Sequence, residues 1–124
     1  MIAWKTFTAP SSAESLLVDE RDIGGSGGKP DWNGYRLNAS NNTAAVAISV
    51  KLPKVTLCEG KSIIFITTNP NLKLITISVA QGSTDKIVSS SVELTSISTS
   101  VDFAFSMFNC DGVRWYAFGD GTIS

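Results

Sequence analysis

The stretch Asn109-Cys110-Asp111-Gly112-Val113-Arg114-Trp115-Tyr116-Ala117-Phe118-Gly119-Asp120-Gly121-Thr122 sets a short aromatic run between two Asp-Gly pairs. Asp-Gly marks a turn, because both residues tolerate positive φ. The pattern therefore reads as turn, strand, turn rather than as an active-site loop. Working outward, the same alternation recurs. Val101, Phe103, Phe105 and Met107 share one strand face, and Val88, Ser90, Val92 and Leu94 another. Leu72 and Leu74, then Ile75, Ile77 and Val79, alternate with a slip of one residue between 74 and 75, which is the signature of a β-bulge. Val46, Ile48, Val50 and Leu52 face away from Ala45, Ala47, Ser49 and Lys51, and Pro53 ends that strand because it cannot donate to a ladder. Ser62-Ile63-Ile64-Phe65-Ile66-Thr67 is apolar on both faces, as a central strand is.

β-Branched and aromatic residues fill these runs, and none repeats at helical spacing. Strands about ten residues apart with turn signals between them predict roughly seven to nine strands. The expected fold is all-β: a single antiparallel β-sandwich, jelly-roll-like, over residues 35–124, with an extended N-terminal arm and Gly-rich loop over residues 1–34. Within that arm, Gly24-Gly25-Ser26-Gly27-Gly28-Lys29-Pro30 is followed by Asp31-Trp32-Asn33-Gly34, read as another turn. A phosphate cradle requires a helix there, so the glycines are read as a flexible loop.

Of 124 residues, 17% are charged, below the roughly 25% usual for a soluble domain, and serine and threonine take up the difference. Such a hydroxyl-rich surface suits strands and burial against a partner. The net charge is −1 and no basic stripe is present, so nucleic acid is not an expected partner. No stretch approaches the roughly 18 apolar residues that would span a bilayer, and the first residues lack the basic and apolar regions of a Sec-type signal; no membrane partner is expected.

The chain contains no histidine, which removes the commonest general base and every Ser-His-Asp or Cys-His arrangement within the chain. The acids Glu14, Asp19, Glu20, Asp22, Asp31, Glu59, Asp85, Glu93, Asp102, Asp111 and Asp120 carry no paired-carboxylate or calcium-loop pattern, and most fall in predicted turns. No catalytic residue, metal site or cofactor is expected. Cys58 and Cys110 lack metal-ligand spacing, and sequence leaves open whether they are reduced or bridged. Asn38-Ala39-Ser40 and Asn41-Asn42-Thr43 match the glycosylation pattern but are read as turn residues. Large apolar side chains supply the candidate contacts. Ile2, Trp4, Phe7, Leu16, Leu17 and Val18 in the arm, with Trp32, Tyr35 and Tyr116, are the expected partner-contact residues, since aromatic groups anchor interfaces.

The run Thr99-Ser100-Val101-Asp102-Phe103-Ala104-Phe105-Ser106, followed by Cys110-Asp111-Gly112-Val113-Arg114-Trp115-Tyr116, resembles the terminal hairpin of many bacteriophage tail-fibre, head-fibre and decoration proteins. In those an apolar strand meets DG-x-x-W-Y. Tyr35-Arg36-Leu37-Asn38-Ala39-Ser40 and Thr43-Ala44-Ala45-Val46-Ala47-Ile48 are also similar to the first body strands of such proteins. Cys110 and Arg114 depart from the usual polar or small residues. The resemblance implies a β-rich, usually trimeric virion component without enzyme activity, made in the host cytoplasm and located in the virion. In the terminal hairpin it implies that Trp115 packs back on Phe103 or Phe105. With no fibre shaft in the sequence, the expected role is a capsid decoration (cement) protein binding the major capsid protein or other virion proteins. The alternative is a tail-fibre or tail-tip domain that binds a receptor or glycan.

Overall fold

The computed structural model describes residues 2–9, 12–18 and 32–119. Eleven strands are present among them: β1 (Ile2–Thr8), β2 (Glu14–Leu17), β3 (Trp32–Asn38), β4 (Val46–Lys51), β5 (Ser62–Thr68), β6 (Leu74–Ser78), β7 (Ile87–Ser89), β8 (Val92–Leu94), β9 (Ser96–Thr99), β10 (Phe105–Cys110) and β11 (Trp115–Phe118). One 3-10 turn covers Val55–Leu57. No helix among the described residues is long and apolar enough to cross a membrane.

The fold is all-β, but the expected antiparallel sandwich is corrected. The strands form a seven-stranded sheet, ordered β1-β3-β5-β10-β11-β7-β8, and a four-stranded sheet, ordered β2-β4-β6-β9. β1, β3 and β5 pair in parallel, as do β2, β4 and β6. The chain therefore winds as a β-solenoid-like stack of three coils, each giving one strand to either sheet. Parallel neighbours cannot be joined by a tight hairpin; here the strand in the opposite sheet is the crossover. Ile2 lies opposite Trp32, and Trp32 opposite Ser62, thirty residues apart each time. The division after Gly34 consequently falls inside β3, and residues 2–8 and 14–17 are strands of the same two sheets as the body.

Stacking continues around the corners. Ala9 N–H donates to Asn38 O at 2.9 Å and Ala39 N–H to Thr68 O at 2.8 Å. At the other corner Val18, Leu52 and Val79 donate to Lys51, Ser78 and Thr95 carbonyls. Asparagine side chains tie coil to coil: Asn42 Nδ2 donates to Ser12 O at 2.7 Å, and Asn71 Nδ2 to Ser40 O at 2.9 Å. Both glycosylation-like motifs thus lie at a corner, where Asn42 is wholly buried.

The third coil is closed by antiparallel strands, β10 on β5 and β9 on β6. Inside, Phe65 stacks on Tyr35 (centroids 5.6 Å apart) and meets Phe108 edge-on at 5.7 Å. Trp115 is fully buried, and its indole N–H donates to Pro53 O at 3.3 Å, giving that large ring a polar partner as well as apolar contact. Trp115 is the register partner of Cys110; the expected packing on Phe103 or Phe105 does not occur.

Three strand faces also change. In β10 the inward residues are Ser106, Phe108 and Cys110, so Phe105 points out, and Phe103 lies outside any strand at positive φ. The predicted strand through Val88 and Leu94 is broken by a turn at Ser90 and Ser91, both at positive φ, which turns Ile87 rather than Val88 inward. The bulge is present, but its extra residue is Ala47 of β4: Val46 pairs with Leu74 and Ile48 with Ile75. Val46 is left exposed while Ala47 and Ile48 are both buried.

Candidate functional site

The two ends of the stack differ. At one end β9 and β10 cap the third coil. At the other, β1 and β2 are the outermost strands of the seven- and four-stranded sheets among the described residues; the opposite outermost strands are β8 and β9. An edge strand presents unpaired N–H and C=O groups that template pairing with another chain. The inward side chains of this first coil are correspondingly less covered: Phe7 and Leu16 are half-buried against the core. Beside β2 runs an apolar groove of about 490 Å³, lined by Leu17, Val18, Leu52, Pro53, Lys54, Leu57, Ala80 and Gln81. Leu17 is 75% exposed and Leu57 51%, an unfavourable placement for two leucines unless something covers them.

The expected contact residues divide accordingly. Phe7 and Leu16 lie on the first coil turned toward the core, and Leu17 is exposed beside the groove. Trp4 is half-buried on the outer face of the seven-stranded sheet, beneath the Arg36 guanidinium at 5.0 Å from the ring centre, a cation–π arrangement. Val18 and Tyr35 are corrected to core residues, 2% and 3% exposed, because the first and second coils cover them. Ile2 and Trp32 are register partners whose side chains lie outside the described residues, as do the Gly24–Gly28 loop and the Asp19–Asp22 cluster. Tyr116 is half-buried, its hydroxyl donating to Asp111 Oδ2 at 3.0 Å.

A second cavity opens where β7 and β11 part. Their pairing covers only Trp115 with Ile87 and Tyr116 with Val88. Beyond it a notch of about 480 Å³ is lined by Val88, Ser89, Ser90, Ser91, Tyr116, Ala117, Phe118 and Gly119. Sequence reasoning selected Tyr116 but missed the three serines and Phe118, whose proximity depends on a long-range parallel pairing.

Three of the described acids, Asp85, Asp102 and Asp111, serve as turn clamps. Asp85 Oδ2 accepts from Val55 N–H at 3.0 Å, and Asp102 Oδ1 from Asn69 N–H at 2.6 Å. Asp111 Oδ1 accepts from Val113 and Arg114 N–H at 2.7 and 2.8 Å, and these donors hold its carboxyl below the usual range. Glu93 pairs with Arg114 at 3.2 Å, raising the guanidinium pKa further. No group of three or more His, Cys, Asp or Glu poised for a metal occurs among the described residues. Neither cysteine forms a disulfide, both are buried, and burial pushes the Cys110 thiol pKa up. No protein-family model matches this chain, and no curated protein matches it significantly.

Proposed function

We propose that this chain is a non-enzymatic virion structural protein, a capsid decoration protein that binds and stabilises a phage head. The observation that carries the reading is the first coil: among the described residues β1 and β2 are the parallel strands at one edge of each sheet, and the Leu17–Leu57 groove opens beside β2. An extended segment of the coat protein adds as a further strand on β1 or β2, with main-chain hydrogen bonds giving affinity and the groove accepting an apolar side chain. The DG-x-x-W-Y resemblance and the hydroxyl-rich, charge-poor composition support the same reading. The test is rebinding to capsids stripped of their decoration. Wild type rebinds and raises capsid melting; Leu17→Asp and Leu57→Asp each lose binding while the free protein melts unchanged. A folded protein indifferent to capsids would refute the reading.

The notch between β7 and β11 favours a second reading, a tail-tip glycan-binding domain. Tyr116 and Phe118 offer ring faces and Ser89–Ser91 offer hydroxyls. Selective glycan-array binding that disappears in Tyr116→Ala would favour this role over capsid cement.

A further inference from the structure

Two concave sites meet at one turn. Leu17, Lys51, Ser78 and Ser96 are successive register partners, so they form a line across β2, β4, β6 and β9. They alternate with the buried Val50, Ile77 and Ile97, which fixes the line on the face away from the core. Leu17 borders the apolar groove beside β2, and the other three line a neighbouring polar notch of about 300 Å³ with Thr95. Ala80 and Gln81 line both cavities, so the turn after β6 is the partition between them. That turn is fixed: Ser83 N–H and Ser83 Oγ both donate to Ala80 O, at 3.1 and 2.7 Å, and Gly82 takes its positive φ of +75°. Lys51 lines the notch and Lys54 the groove, whereas no acid lines either. Neither lysine forms an ion pair among the described residues, and Asp85, close to Lys54 in the fold, has its Oδ2 committed to Val55 N–H.

We infer that the groove and the notch together read one extended peptide segment that carries an apolar side chain and, a few residues away, a carboxylate. The inference rests on the docking role proposed for the groove and adds the chemistry of what docks. Charge selects the carboxylate. Two lysines with no acid among the lining residues complement an anion, and Ser78, Thr95 and Ser96 bring hydroxyl donors for its oxygens. Shape selects the apolar side chain. Leu17, Leu52, Pro53 and Leu57 give aliphatic walls, with no aromatic ring among the lining residues for a sugar to stack on. A nucleic acid would bring a phosphate with every nucleotide to a site with two cations and an apolar half, which is a poor match. Spacing links the two parts. Strands lie about 4.8 Å apart, so Leu17 and Ser78, two strands away, are separated by about 10 Å. An extended chain rises about 3.3 Å per residue, which puts the carboxylate about three positions from the apolar side chain. Asp19 and Glu20 follow Val18 in the sequence and lie outside the described residues, so this chain's own acids are the competing occupant.

Amide chemical-shift titration of the full chain with synthetic peptides tests it. The probes are acetylated and amidated serine hexapeptides carrying one leucine and, three positions later, one aspartate, with asparagine-for-aspartate and alanine-for-leucine controls. Wild type is expected to bind the leucine–aspartate probe at least about threefold tighter than either control, with shifts at Ser78, Gln81 and Ser96. Lys51→Gln, at a partly exposed position, is expected to fold and to lose the preference for aspartate, and added salt is expected to weaken that preference in wild type. No binding at roughly 5 mM probe, equal binding of the aspartate and asparagine probes, or a preference that survives in Lys51→Gln overturns the proposal. So does a preference seen only when Asp19→Asn and Glu20→Gln are combined, which assigns the lysines to this chain's own acids. Rebinding to stripped capsids separates the inference from the reading it rests on. Equal capsid affinity of wild type and Lys51→Gln refutes the carboxylate and leaves decoration standing. A capsid-indifferent protein that still prefers the leucine–aspartate probe refutes decoration and upholds the peptide chemistry.

Discussion

Trp4 and Gly34 are register partners on adjacent parallel strands, and the indole of Trp4 occupies the place a side chain at position 34 would need. Gly34→Val must displace that ring and with it the Arg36 contact. We expect a loss of about 1–3 kcal/mol, read by chemical denaturation. Trp4→Ala relieves the clash, so Gly34→Val should cost much less in that background; equal costs in both would disprove the coupling.

Asn42 is buried and joins the first two coils, donating to Ser12 O and Ala9 O and accepting from Ala44 N–H at 2.8 Å. Asn42→Ala leaves those groups without their partner. The expected cost is about 2 kcal/mol, with faster amide exchange concentrated in β1 and β2. Uniform acceleration across the whole chain would show that the first coil is not separately secured.

Phe103 has φ of +56° and is 74% exposed, so a bulky side chain sits in left-handed backbone with little burial to offset it. Asparagine tolerates that region better. Phe103→Asn should stabilise the free protein by about 0.5–1 kcal/mol, since left-handed backbone costs a bulky residue roughly 1–2 kcal/mol. A lower denaturation midpoint would show that the phenyl ring contributes more by packing than its backbone costs.

Asp111 secures the last turn by accepting from Val113 and Arg114, and its pKa is lowered by the Arg114 and Val113 amides. The native state therefore binds this proton less tightly than the unfolded chain. Its stabilising effect is complete above the ordinary aspartate pKa of about 3.9 and disappears as pH falls through the lower native value. Melting temperatures measured against pH should fall less steeply under acid in Asp111→Asn than in wild type.

Cys110 moves the other way. Burial raises its pKa, so the native state holds the thiol proton more tightly. That contribution is present below the ordinary thiol pKa and is lost as pH rises through the raised one. Cys58 and Cys110 should both resist a thiol reagent in the native protein at mildly alkaline pH and react together on unfolding. Rapid native labelling of Cys110 would contradict its burial.

The sequence by itself determined that this protein is built of strands, where several of them run and where the chain turns. Ser62–Thr68 is a central strand, Asp111-Gly112 a turn, and the register does slip beside Leu74, because side-chain alternation and turn chemistry act between near neighbours. The sequence also holds a thirty-residue echo, Thr8-Ala9-Pro10, Asn38-Ala39-Ser40 and Thr68-Asn69-Pro70, which the reading of strands missed and which the stacked corner made visible. Only the tertiary structure decided that these strands run parallel in stacked coils, which side of β10 faces the core, and that Leu17, Lys51, Ser78 and Ser96 form one line. Alternation states that two faces exist but not which is covered. That choice comes from pairings between residues far apart in the chain, and a shift of one position reverses every side chain on the strand.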